Sequence, residues 1–273
     1  MPHHRPAQPA CIDLTHSVAH SGAYFISDLH LSDELPVTLA QFEYFCQHIA
    51  ATQPALFILG DLFEFWIGDD VCAISDAALR VAQSLKKLNQ SGTTIYFVAG
   101  NRDFLLQSSY CRQAGMTALP DPCIVRINQQ RILLTHGDLL CTDDRGYQRY
   151  RRCVHTKWVQ RLFLRTPCSW RLKLAQSLRR SSKVKKTTAN TPAQYIKQDV
   201  VEASAQLWFE KNAVQLIVHG HTHRPQKHNQ PYGQRYVLPD WECDHINHIR
   251  WGYALLDSTH HEPILRVVHE LAL

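Results

Sequence analysis

The chain has 273 residues, 45% of them hydrophobic, and a net charge of +5; it fits one large α/β domain with an insertion, or two small domains, and not a disordered or repeat class. Its apolar runs fall far short of the ~18 residues that suggest a membrane span, and nine cysteines with no CxxC pair make no disulfide framework, so a reduced, cytoplasmic chain is expected. The charge is lopsided: Arg145 to Gln198 holds fifteen Lys or Arg and no acid, so 14 basic residues face all 24 acidic ones elsewhere.

Residues 1–22 are rich in Pro, His and small polar side chains and lack the apolar segment of a secretory signal, which predicts a flexible leader before a domain at 23–273. Ala23 to Ser27 is an apolar strand that runs into Asp28 and His30, two ligand types two residues apart. Pro36 to Ala50 has Pro at its opening and apolar residues at helical spacing. Ala55 to Leu59 then fits a strand buried on both faces, stopping at Gly60-Asp61, and a carboxylate at the carboxyl end of such a strand falls where open α/β sheets place ligand sites. A helix over Asp76 to Leu88 and a strand over Thr94 to Ala99 continue the right-handed βαβ pattern, the strand ending in Gly100-Asn101-Arg102-Asp103.

Cys123 to Ile127 and Arg131 to Thr135 read as a hairpin whose second arm ends in His136-Gly137-Asp138. Tyr147, Tyr150, Val154, Trp158 and Leu162 keep helical spacing among Arg and Lys, a cationic amphipathic helix continued by Trp170, Leu174 and Leu178 after Pro167. Together these predict a helical insertion at about 145–190, and the absence of acids sets it apart from a merely solvated face, which would mix charge signs. A helix over Pro192 to Lys211 leads to a strand over Val214 to Val218 that enters His219-Gly220-His221-Thr222-His223, and Arg235 to Leu238, Gly252 to Leu256 and Ile264 to His269 read as strands of a second sheet. The expected fold is α/β, two sheets face to face with flanking helices.

Taken singly, each polar residue at these strand ends fits a cap or a hydrogen-bonded core histidine. Taken together, Asp28, His30, Asp61, Asn101, His136, His221 and His223 offer mixed nitrogen and oxygen donors for about two borderline divalent ions, and the absence of Cys argues against a structural zinc site. His219 reads as structural. Binding needs neutral His and ionised Asp, so activity is expected to fall in acid.

The ordered motifs D-x-H, G-D, G-N-x-x, H-G-D and G-H-x-H resemble those of the calcineurin-like metallophosphoesterases over residues 23 to about 225. That resemblance implies a β-sandwich flanked by helices with Asp28, His30, Asp61 and His223 on one metal and Asp61, Asn101, His136 and His221 on the other, Asp61 bridging. Many such enzymes have His directly after the Asn, where this chain has Arg102. Arg does not give up its proton and suits bidentate pairing with a second phosphate, which points to a pyrophosphate substrate.

The longer strings ISDLHLS, LGDLFEFWIGDD, AGNRDFLL, LTHGDLLCTDDRGYQ and HGHTHRP are similar to those of the UDP-2,3-diacylglucosamine diphosphatase family. This second resemblance implies water attack on the α-phosphorus of UDP-2,3-diacylglucosamine, giving UMP and lipid X in the lipid A pathway of Gram-negative bacteria. It also implies two Mn²⁺ ions, catalytic roles for Asp61, Asn101, Arg102 and His136, and substrate contacts from Asn101, Arg102, Asp144, His221 and, in the cap, Ser182 and Asn190. The implied location is peripheral, on the cytoplasmic face of the inner membrane, held to its anionic surface by the basic cap. A monomer is expected, and no nucleic-acid partner. The competing readings are a phosphoesterase for a soluble nucleotide diphosphate or phosphodiester, and a nucleic-acid binder using the basic stretch.

Overall fold

The computed structural model describes residues 10–16, 19–73, 75–175, 177, 199–260 and 262–272. Two short strands, β1 (Ile12–Asp13) and β2 (Ala19–His20), precede β3 (Ala23–Ile26), α1 (Pro36–Tyr44), β4 (Ala55–Leu59), α2 (Asp76–Gln90), β5 (Thr94–Val98), α3 (Ser108–Ala114) and β6 (Met116–Leu119). The hairpin β7 (Cys123–Ile127) and β8 (Gln130–Leu134) follows, then α4 (Arg145–Val154), α5 (Lys157–Leu164), α6 (Glu202–Asn212), β9 (Leu216–His219), β10 (Gln226–Gln230), β11 (Gly233–Val237), β12 (Trp251–Leu256) and β13 (Ile264–Val268).

These strands form two sheets, one ordered β13-β12-β3-β4-β5-β6 and the other β1-β7-β8-β9-β11-β10 with β2 beside β7. β3, β4, β5 and β6 are mutually parallel because a helix returns the chain between each pair. Their side chains alternate between two cores, as a period of two demands. Ala23, Phe25, Ala55, Phe57, Leu59, Tyr96 and Val98 face Val125, Ile132, Leu134, Leu216 and Val218 of the other sheet. Tyr24, Ile26, Leu56, Ile58, Ile95 and Phe97 face outward onto the helices. Phe25, Phe57 and Tyr96 are register partners whose rings stack at 5.4 and 4.8 Å across the middle of the sandwich. Truncating the central one, Phe57→Ala, removes a fully buried ring at a cost of about 3–5 kcal/mol.

Local chemistry sets the helix starts and stops. Pro36 opens α1 in its first turn, Ser75 Oγ accepts the Ala78 N–H at 3.2 Å to cap α2, and α3 ends at Gly115 with φ 69°. The helix expected over 36–50 is α-helical only to Tyr44; a π turn over Phe45–Ile49 and a 3₁₀ turn over Ala50–Thr52 complete it.

Three sequence readings need correction. Part of the stretch read as a flexible leader is built into the second sheet, because β1 and β2 lie parallel to β7 and lend it backbone partners that its edge otherwise lacks. The strands after the HGHTH run do not make a sheet of their own. β11 joins β9 in parallel, whereas β12 and β13 cross to the first sheet and pair antiparallel beside β3. Finally, the cationic amphipathic helix is broken at His155-Thr156 into α4 and α5.

Residues 168–175 are helical and anchored by Arg171, which donates to the Ile67 carbonyl and pairs with Asp70. Phe163, Leu164, Cys168, Leu172 and Ala175 pack on the outer core, and Tyr150, Trp158, Leu162, Trp170 and Leu174 are exposed. Ser182, Asn190, Leu178 and the start of the helix expected at Pro192 lie outside the described residues.

Candidate metal centre

Strands β3, β4, β5, β8 and β9 end on the same rim, and the polar residues sit just past those ends. Asp28 follows β3, Asp61 follows β4, Asn101 follows β5, His136 follows β8, and His221 and His223 follow β9. The seven residues singled out above are thus drawn from both sheets. The two sheets are sewn together here: His221 N–H donates to Asp28 Oδ2 at 2.9 Å, and His136 Nδ1 lies 3.0 Å from the Leu59 carbonyl oxygen.

The chain turns sharply to bring them in. Asp28, His30, Asp61, His221 and His223 all have positive φ, between 52° and 69°. Such backbone strain costs on the order of 1–3 kcal/mol per residue and persists only where the surroundings over-determine it. Gly60 and Gly220 give the room: a Cβ at Gly60, whose φ is 86°, would lie 2.5 Å from His136 Nδ1, and one at Gly220 would lie 2.1 Å from Asp28 Oδ2.

Ligand-type atoms converge in two overlapping groups, Asp28 with His30 and His223, and Asp28 with Asp61 and His136. Beside the second, Asn101 Oδ1 lies 2.9 Å from His136 Nε2 and 3.0 Å from His221 Nδ1, and those two nitrogens are 3.2 Å apart. An amide oxygen only accepts, and a neutral His136 that donates through Nδ1 to Leu59 presents a bare lone pair at Nε2. With His136 in that neutral form, its Nε2 and the Asn101 oxygen are two acceptors 2.9 Å apart. Asp28 Oδ1 is buried without a hydrogen-bond partner among the described residues, 3.4 Å from His223 Nε2, itself 3.4 Å from His30 Nε2. A divalent cation satisfies such a set of imidazole, carboxylate and amide donors, so these residues fit the metals the sequence implied.

The electrostatics agree with that fit. Burial opposes the charged form of Asp28, yet the rings of His223, His136 and His30 outweigh it and hold its carboxyl far below the usual range. Burial pulls His136 and His223 down, but carboxylates win at both: Asp61, Asp28 and Asp138 lift His136 to about 9, and Asp240 and Asp28 lift His223 to about 10. Burial and the neighbouring His136 push His221 down to about 4. Burial raises Asp61, opposed by His136 and Arg102.

Arg102 stands beside this cluster. Its backbone N–H donates to Asp61 Oδ1 at 2.9 Å, and its guanidinium lies 2.8 Å from Glu64 and 3.5 Å from Asp61 Oδ2. Asp144 Oδ1 accepts the Tyr147 N–H at 2.9 Å and so caps α4. His219 stays out of the cluster, its Nε2 accepting from Arg235 and its Nδ1 facing the Gly220 carbonyl, with burial first and Arg235 second pushing it down to about 3.

Supporting residues escaped the sequence reading. Asp103 is fully buried and accepts from Gly100 N–H at 2.7 Å, Leu62 N–H at 2.7 Å and Asp61 N–H at 3.3 Å, locking the loop after β4 to the loop after β5. Burial, with Asp61 adding to it, raises its carboxyl to about 7. Glu64 lies between His30 and Arg102, and Asp240 lies behind His223. Asp138 and Asp121 share Arg151 of α4, and Asp121 also accepts the His136 N–H, so α4 is tied to the loop that carries His136. Asp103 stands two residues after Asn101, but nothing in that spacing marked it, and Asp240 had no local signal.

The chain belongs to the calcineurin-like phosphoesterase family, which residues 23–225 match. Among its relatives, the UDP-2,3-diacylglucosamine hydrolase of Neisseria meningitidis serogroup B is 44% identical over 229 residues, 84% of this chain and 93% of that protein. The UDP-2,3-diacylglucosamine hydrolase of Proteus mirabilis is also 44% identical, over 81% of this chain and 91% of its own. A solved archaeal phosphodiesterase superposes with a TM-score of 0.48 and 12% identity, covering 90% of this chain and 99% of that one.

Proposed function

We propose that this chain hydrolyses the pyrophosphate bond of UDP-2,3-diacylglucosamine, giving UMP and 2,3-diacylglucosamine 1-phosphate, a step of lipid A biosynthesis. The observation that carries the reading is the convergence of Asp28, His30, Asp61, Asn101, His136, His221 and His223 on one rim, in a chain 44% identical to hydrolases named for that substrate.

Asp28, His30, Asp61 and His223 would hold one Mn²⁺, and Asp61, Asn101, His136 and His221 the other. A pair of divalent cations supplies the Lewis acidity that makes water a nucleophile near neutral pH and offsets charge on a phosphoryl group under attack. The chain's own residues do the rest. His136 is oriented by its Nδ1 contact to Leu59, Asp61 by the N–H groups of Arg102 and the Asp103 clamp beneath it. The Arg102 guanidinium pairs with the second phosphate, and the lipid phosphate departs as an anion that needs little protonation.

Residues 145–190 act as the cap over the acyl chains, with Asp144, Ser182 and Asn190 touching substrate. The exposed aromatic ridge of Tyr150, Trp158 and Trp170, set among Arg and Lys, rests on the anionic cytoplasmic face of the inner membrane, where each cation contributes ~1 kcal/mol. No described helix is long and apolar enough to cross a membrane. The protein works as a monomer without a nucleic-acid partner.

The test is turnover of UDP-2,3-diacylglucosamine with Mn²⁺, beside the Asn101→Ala variant and an unacylated UDP-sugar. Release of UMP from the lipid substrate alone, lost in the variant, supports the reading. Equal turnover of the unacylated sugar overturns the lipid assignment.

A further inference from the structure

His223 ends the HGHTH turn with a strained backbone at φ 54°, and its ring is held from both sides. On the cluster side, Nε2 lies 3.4 Å from Asp28 Oδ1 and 3.4 Å from His30 Nε2. On the far side, Nδ1 lies 3.2 Å from Asp240 Oδ2. Asp240 is itself buried and fixed: the next residue, Trp241, donates its N–H to the Asp28 carbonyl at 3.0 Å, and Leu238 donates to the His219 carbonyl at 2.7 Å. The segment carrying Asp240 is thus bonded to Asp28 and to the end of β9, the strand that leads into His221 and His223. Arg250, which bridges to Glu242 just before β12, places Nη2 2.5 Å from the same Oδ2.

We infer that Asp240 is a positioning residue for one of the two metals, acting through His223. The inference rests on the metal reading above and adds the residue that sets His223's tautomer. A carboxylate at Nδ1 keeps the proton there, leaves the Nε2 lone pair free, and raises its basicity as a ligand. The effect is confined to one ion because Asp240 reaches only His223 of the seven, whereas His136 has its own support in the Leu59 carbonyl. Arg250 neutralises the buried carboxylate from behind and does not touch His223.

The experiment is a graded Mn²⁺ titration of the full chain, with free Mn²⁺ read from its EPR signal, on the unaltered protein, Asp240→Ala, Asp240→Asn and Arg250→Met. The unaltered protein is expected to take up two ions. Asp240→Ala should keep one at full affinity and bind the other roughly 10- to 100-fold more weakly. Asp240→Asn should recover most of that loss, since its amide oxygen still accepts from Nδ1–H, and Arg250→Met should bind both nearly as before. Two ions bound unchanged by Asp240→Ala overturn the inference, as does an equal loss in Arg250→Met, which would make the effect one of loop packing. An unaltered protein that binds no Mn²⁺ instead overturns the metal reading itself.

Discussion

His136 Nδ1 sits 3.0 Å from the carbonyl oxygen of Leu59, so the last residue of a strand in one sheet orients a ring carried by the other. Gly60, the next residue, allows this approach. Gly60→Ala puts a methyl group 2.5 Å from that nitrogen on a backbone at φ 86°. The expected result is a stability loss on the order of 1–3 kcal/mol from the strained backbone alone, and a fall in kcat of at least about 100-fold as His136 is displaced. Urea unfolding and steady-state kinetics of the variant check both.

Asp61 is fully engaged, by the Arg102 N–H on Oδ1, the Arg102 guanidinium on Oδ2 and His136 at 3.7 Å. As the proposed bridge between two cations, it has no substitute. Asp61→Ala should lower kcat/KM on the order of a thousandfold, about 4 kcal/mol of transition-state stabilisation, and reduce Mn²⁺ uptake. A variant with near-normal kcat/KM contradicts the bridging role.

Trp158 and Trp170 are 67% and 66% exposed. Replacing both by Ser removes no core contact, so unfolding free energy should change by under about 0.5 kcal/mol. Partition onto anionic vesicles should fall on the order of tenfold, the equivalent of about 1.4 kcal/mol of apolar contact. Flotation with anionic and neutral vesicles measures it; equal binding to both contradicts the electrostatic part of the account.

His155 stacks on Phe104 at 5.1 Å, and burial first, Arg151 second, push it down to about 4. The unfolded chain takes up a proton near pH 6.5 and the folded chain does not, so stability is full above that pH and declines as pH falls from about 6.5 toward 4. The difference in unfolding free energy between the parent and His155→Gln, followed across that window, should show the parent losing more. Parallel curves contradict the assignment.

The rim was legible because five buried strands announce themselves as apolar runs and their ends carry ligand-type side chains. Such strands must run parallel when helices separate them, which places their ends together. What was not legible depended on partners far off in sequence. Nothing local in Gly233–Val237 says that it pairs with Leu216–His219 and not with Trp251–Leu256. Gln226–Gln230 is a polar strand on the sheet edge, and Met116–Leu119 has two exposed residues among four, so neither shows a core period. Asp103, Glu64 and Asp240 act on the cluster through other residues, and a carboxylate of that kind has no spacing rule to reveal it. Asp144 shows the converse: its place in the motif was clear, while its cap to Tyr147 needed the start of α4.

Attack by water on the α-phosphorus of UDP-2,3-diacylglucosamine at this rim is checked by turnover in ¹⁸O-labelled water with Mn²⁺. The label is expected in UMP, and the Asn101→Ala variant should form no labelled product. Label in the lipid phosphate, or no turnover by a protein with both metals bound, contradicts it.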